Sequence, residues 1–222
     1  EDNSRKHRVS NAQLSYVEIY TDLEQSRQYY QYRVNIEFTD SNILLGSDEF
    51  YVSRVGGGKL DIESYSYGVY ITNISDSVVS IVNSTGDQNY YWAPTINVQN
   101  IADTVINNVN ISDVSTISGS QFTGAYLSSP QSIINSVFND SRINGNQQPL
   151  EMRGNTLVNS SISLGGGYGA GALTMRFNRL DTLSTVTSSG TLDIGFNYWG
   201  TTDLVDIITR TGYSTDQSAG TH

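Results

Sequence analysis

Three segments of this chain can be laid over one another: Leu150-Glu151-Met152-Arg153-Gly154-Asn155, Leu173-Thr174-Met175-Arg176-Phe177-Asn178 and Leu192-Asp193-Ile194-Gly195-Phe196-Asn197. Each reads Leu, polar, Met or Ile, Arg or Gly, Gly or Phe, Asn. The asparagines follow one another at 23 and then 19 residues. Such a period is the mark of a solenoid, in which each repeat buries its apolar side only by stacking on its neighbours. Alternation of period two puts Leu150 and Met152 on one face of an extended segment, and Glu151 and Arg153 on the other. In register, Met152, Met175 and Ile194 would pile into one apolar column. Arg153 would then lie directly above or below Arg176, with Glu151, Thr174 and Asp193 as the neighbouring column.

A second unit is interleaved with the first. Val105-Ile106-Asn107, Ile133-Ile134-Asn135 and Leu157-Val158-Asn159 each give two apolar residues, then Asn, then a resumed strand, at spacings of 28 and 24. Val69-Tyr70-Ile71-Thr72-Asn73 and Val79-Ser80-Ile81-Val82-Asn83 echo it. Asn suits a bend because it tolerates the left-handed backbone and its amide bonds nearby main chain. Stacked asparagines can form a hydrogen-bonded ladder. No stretch shows the helical patterning that βαβ crossovers need. The expected fold is all-β, a right-handed parallel β-helix.

Composition agrees. Of 222 residues only 15% are charged, with no cysteine, and Asn, Ser, Thr, Gly and Tyr are abundant. These residues suit strands and turns rather than helices. Without cysteine there is neither a disulfide scaffold nor a Cys-based zinc site. The net charge of −10 opposes a phosphate backbone, and cations cluster only at Arg5-Lys6-His7-Arg8, so nucleic acid is not an expected partner. No apolar run approaches the ~18 residues of a membrane span. The sequence shows no signal peptide and no initiator Met, and reads as a processed or excised piece.

Asn197-Tyr198-Trp199-Gly200-Thr201-Thr202-Asp203 resembles the closing motif of secreted right-handed β-helix repeat proteins of bacteria and archaea, with the pectin-lyase-like fold. The resemblance extends over about residues 60–203 and fades toward the start. It implies an extracellular or cell-surface location and a capped last coil. It does not imply one activity, because that fold hosts many. After the motif, Thr202-Asp203 is a helix start and Leu204, Val205, Ile207 and Ile208 form an apolar stripe. A short C-terminal capping helix would cover the open edge of the last coil. One domain is expected: residues 1–59 as an N-terminal cap with irregular first coils, 60–200 as regular coils, and 201–222 as a C-terminal cap and tail. Val55-Gly56-Gly57-Gly58 and Gly165-Gly166-Gly167 read as turns or loops, not phosphate cradles.

The resemblance also says which chemistry to seek. The Asn-Thr-Asp, Asp-Asp, Gly-His-Gly and Arg-Ile-Lys elements of polygalacturonase-like sites are absent, and the only histidines are His7 and His222. The acidic residues are scattered and make no calcium loop. No metal site and no cofactor are expected. Two constellations remain as candidate ligand sites. In the first, Arg153 and Arg176 hold the carboxylate of an acidic sugar; the plainer reading is that Glu151 and Asp193 neutralise them on a solvated face. In a hydrolase, Glu151 and Asp193 would be acid and base with Arg153 and Arg176 beside them, about 9–10 Å apart by strand spacing, at the upper edge of inverting geometry. In the second, Tyr90, Tyr91 and Trp92 protrude on a loop and pack against sugar rings; alternatively Trp92 folds inward. Tyr198 and Trp199 are expected to close the last coil.

The function expected from this is a non-catalytic extracellular module for surface adhesion, glycan binding, or self-assembly into a surface layer or filament. Its partner would be a polysaccharide or cell-surface glycan. The alternative is a polysaccharide lyase or hydrolase, or a tailspike-like depolymerase, acting on acidic glycans.

Overall fold

The computed structural model describes residues 7–10, 13–15, 36–45, 50–63, 69–82, 95–146, 148–165 and 171–211. They form a parallel β-helix. From Val105–Asn107 onward three short strands make one circuit, and each pairs in parallel with the strand three further along; before that, longer strands such as Phe50–Glu63 span more than one sheet of a coil. Thr116–Ser118 pairs with Ser132–Ile134, Gln121–Thr123 with Val137–Asn139, and Tyr126–Ser128 with Arg142–Asn144. Three sheets therefore face outward and three apolar columns run inside.

On the first sheet the inward residues are Phe38, Val55, Ile74, Ile101, Ile117, Ile133, Met152 and Met175, each opposite the next. All eight are buried, and Ile194 packs on the end of the column. The stacking expected of Met152, Met175 and Ile194 is therefore found. The second column includes Ile106, Phe122, Phe138, Leu157 and Leu180. Phe122 and Phe138 stack there at 4.7 Å between centroids. The third runs through Ile111, Leu127, Ile143, Ile162 and Val186.

Between Thr104 and Ser141 the coil is 16 residues long, as the successive cross-coil hydrogen bonds show. Each strand is three residues with one buried position, as in Gln121-Phe122-Thr123. Later coils lengthen to 19 and 23 residues. The second sequence unit mixed columns. Val105–Asn107 and Leu157–Val158 lie on the second sheet, Ser132–Ile134 on the first and Val69–Ile71 on the third. Its two-apolar signature recurs on all three sheets, so it could not report the period.

The corners carry the polar order. After the first sheet, backbone N–H groups of each coil donate to a side chain of the next: Thr104 to Ser120, Ser120 to Ser136, Ser136 to Asn155, Asn155 to Asn178 and Asn178 to Asn197. After the second sheet, Ala125 donates to Ser141, Ser141 to Ser160 and Ser160 to Ser184. A buried N–H without an acceptor would cost about 1–3 kcal/mol, so these ladders are what allow the corners to be buried. The asparagine ladder exists, but it uses the last residue of the first unit and continues as Ser and Thr.

The residue just before each rung of the first ladder is left-handed: Asp40, Gly57, Asp76, Asp103, Gly119, Asn135, Gly154, Phe177 and Phe196. Gly56, Gly57 and Gly58 are thus a strand corner and not a loose turn. A Cβ on Gly58 would lie 2.2 Å from the Ser41 carbonyl oxygen. The strand Phe50–Glu63 crosses residue 59, and its register with Ile36–Leu45 carries the regular columns back to Phe38 and Ile43.

At the other end a helix, α1 (Leu204–Thr211), closes the stack. Asp203 caps it, accepting from the Val205 N–H at 2.9 Å. Ile207 packs on the core, but Leu204 and Val205 are exposed. Only part of the expected stripe covers the coil. The anchor is instead Arg210, buried, donating to the carbonyls of Ser184, Trp199 and Asp181 and lying over the Trp199 ring. Among the described residues no helix is long and apolar enough to cross a membrane.

Candidate functional site

The first sheet presents its outward side chains in two columns. In the middle coils these are uncharged, and apart from apolar residues such as the exposed Ile134 they are polar, several bonding to one another. The Asn100 amide donates to Asn73 at 3.0 Å, and the Thr116 hydroxyl donates to Asn100 at 2.7 Å. In the last coils they become large and charged. Glu151 is opposite Thr174, and Thr174 opposite Asp193. Arg153 is directly opposite Arg176. At a strand spacing of roughly 4.8 Å, two such cations repel and need compensation.

Compensation is uneven. Arg176 is ion-paired with Asp193. Arg153 has no ion pair among the described residues, and neither has Glu151, although it is two positions away on the same strand. The plainer expectation, neutralisation of both arginines, therefore holds for Arg176 alone. Glu151 instead borders an open recess of about 610 Å³, lined also by Gln131, Gln148, Pro149, Leu150, Ala172 and Thr174.

The arginines rest on aromatic rings. Arg153 lies over Phe177 at 5.6 Å, and Arg176 over Phe196 at 5.6 Å. The two rings stack on each other at 5.9 Å with 21° between planes. On the adjoining sheet Arg179 lies over Tyr198 at 5.7 Å. In each case an arginine of one coil covers a ring of the next. Phe177 is 59% exposed, Phe196 75% and Tyr198 57%. Trp199 is 6% exposed and closes the core as expected; Tyr198 faces solvent and does not.

Phe177 and Phe196 have φ of 57° and 59°. A bulky residue there is a genuine outlier and costs about 1–3 kcal/mol. Glycine occupies the same corner at positions 57, 119 and 154 without that cost. The exposed rings recover little from burial. These residues were missed in the sequence, although the repeat held the signal: its fifth position reads Gly, Phe, Phe.

Glu151 and Asp193 flank Thr174 on an exposed sheet, two coils apart. Asp193 is ion-paired with Arg176, and Glu151 is exposed. At two strand spacings, roughly 9–10 Å, the pair stands at the upper edge of inverting geometry on an open sheet face. Among the described residues no three His, Cys, Asp or Glu side chains group to hold a metal. Tyr90, Tyr91 and Trp92 lie outside the described residues.

Among the described residues, the one carboxyl with a shifted pKa belongs to the scaffold. Partial burial pushes the Asp181 pKa up, but hydrogen bonds from Ser184 and from the Asn159, Ser184 and Leu183 backbone outweigh it, leaving it below the usual range. Its Oδ1 accepts from the Ser184 N–H at 2.9 Å and hydroxyl at 2.6 Å, terminating the second ladder.

Compared with protein families, curated proteins and solved structures, the chain matches none.

Proposed function

We propose that this protein is a non-catalytic, extracellular glycan-binding module whose binding face is the C-terminal end of the first sheet. The observation that carries the reading is the pair Phe177 and Phe196: exposed, stacked, under arginines, and held in a backbone conformation that glycine would fill more cheaply. Strain retained without a folding benefit points to a function. Aromatic rings offer apolar faces and edges to sugar rings, and arginines offer forked donors to carboxylates. A parallel β-helix holds the arginines on rigid strands and the rings at the adjoining corners, which suits recognition.

The non-catalytic part rests on Glu151 and Asp193, which stand two coils apart on an open sheet face and share no recess, with Asp193 already ion-paired to Arg176. The test is incubation of the full chain with neutral and uronic-acid polysaccharides, following retention together with reducing ends and unsaturated products. Retention without product is expected. Product release, or no retention of any polymer, would overturn the reading.

A further inference from the structure

We infer that Arg153 and the recess beside Glu151 are two adjoining subsites for a glycan in which neutral and carboxylated sugars alternate, and that this glycan runs along the strand Leu150–Arg153 instead of following the solenoid axis. The inference rests on the glycan-binding reading above and names the ligand class for that same face.

The charge map sets the order of the sugars. The recess has amide side chains at Gln131 and Gln148, a hydroxyl at Thr174 and a carboxylate at Glu151. Amides and hydroxyls both donate and accept, and a carboxylate accepts from paired hydroxyls. Pro149, exposed at the rim, supplies apolar contact for a ring face. Glu151 repels a second carboxylate, so the recess takes a neutral unit. The next outward residue of the strand is Arg153. It has no carboxylate partner among the described residues, and Phe177 beneath it orients the guanidinium. That position takes the acidic unit. Arg176, one coil on, is already paired with Asp193 and offers no equivalent site. A ligand running along the axis would meet this occupied arginine next; one running along the strand meets the open recess.

The recess is itself an addition to the coil. Gln148 and Pro149 belong to the longer connection between Asn144 and Leu150. In the preceding coil the corresponding connection, from Ser128 to Ser132, has only the three residues 129–131.

Binding of the full chain to soluble oligosaccharides of three kinds tests this: alternating neutral and uronic units, uronic units only, and neutral units only. The alternating series should bind tightest. Arg153→Ala should weaken it about tenfold or more, the usual effect of removing a charged hydrogen-bond partner. Arg142→Ala, an exposed arginine on the third sheet, should leave it unchanged. Glu151→Gln should raise affinity for the all-uronic series, because it removes the like charge in the recess. If the all-uronic series binds the native chain as well as the alternating one, or if Glu151→Gln leaves that preference unchanged, the two-subsite inference fails while the module reading stands. If none of the three binds, both fail.

Discussion

Residues 101–143 and residues 150–197 build their coils on the same inner plan and finish them differently outside. Inside, both stack buried side chains into the same three columns, one per three-residue strand, and both pass a backbone N–H to a side chain of the next coil at the corners. Outside, on the first sheet, the first region has the uncharged Thr116, Ser118, Ser132 and Ile134, with Asp103, Gly119 and Asn135 at the left-handed corner. The second has Glu151, Arg153, Arg176 and Asp193, with Gly154, Phe177 and Phe196 at that corner. The first region shows how little the fold needs. The features of the second that exceed this need are the ones that require another explanation, and ligand binding supplies it.

The comparison can be broken first from inside. Phe138→Ala should cost about 3–5 kcal/mol, because it empties a fully buried position and removes the partner of Phe122. Urea unfolding measures this; a loss under 1 kcal/mol would mean that the inner columns do not hold the coils together. Asn178→Ala should come next. It strands the Asn155 N–H and the Met152 carbonyl, at about 1–3 kcal/mol for each buried group left without a partner. An unchanged midpoint would show that the corner ladders are not needed.

Acid should act more mildly. The lowered pKa of Asp181 means that its contribution is present above the unfolded value, about 4, and is lost as pH falls through the folded value. Asp181→Ala should flatten the acid limb of a stability–pH profile while changing little in its slope at neutral pH. An acid limb identical to that of the native chain would assign the dependence to other carboxylates.

Part of this was legible in the sequence. Leu-x-Met-Arg-x-Asn fixed the register of the last coils, and with it the Arg153–Arg176 and Glu151–Thr174–Asp193 columns, because four-residue strands such as Leu150–Arg153 bury two alternating side chains. The 16-residue coils were not legible. A three-residue strand with one inward residue, such as Thr116-Ile117-Ser118, gives no amphipathic window to detect. The Ser and Thr rungs were hidden for a related reason: in a chain this rich in hydroxyls, Ser120, Ser136 and Ser160 do not stand out from exposed serines. The partner of each arginine depends on side-chain direction, which spacing does not give. Asp193 reaches Arg176, while Glu151 turns to the recess.

The most direct measurement is made on the double variant Phe177→Gly, Phe196→Gly, comparing thermal unfolding with glycan retention. Glycine removes both exposed rings and relieves the left-handed strain, so the unfolding midpoint should stay level or rise while retention is lost. A variant that unfolds several degrees earlier yet still holds the glycan would contradict the account, since the rings would then be serving the fold.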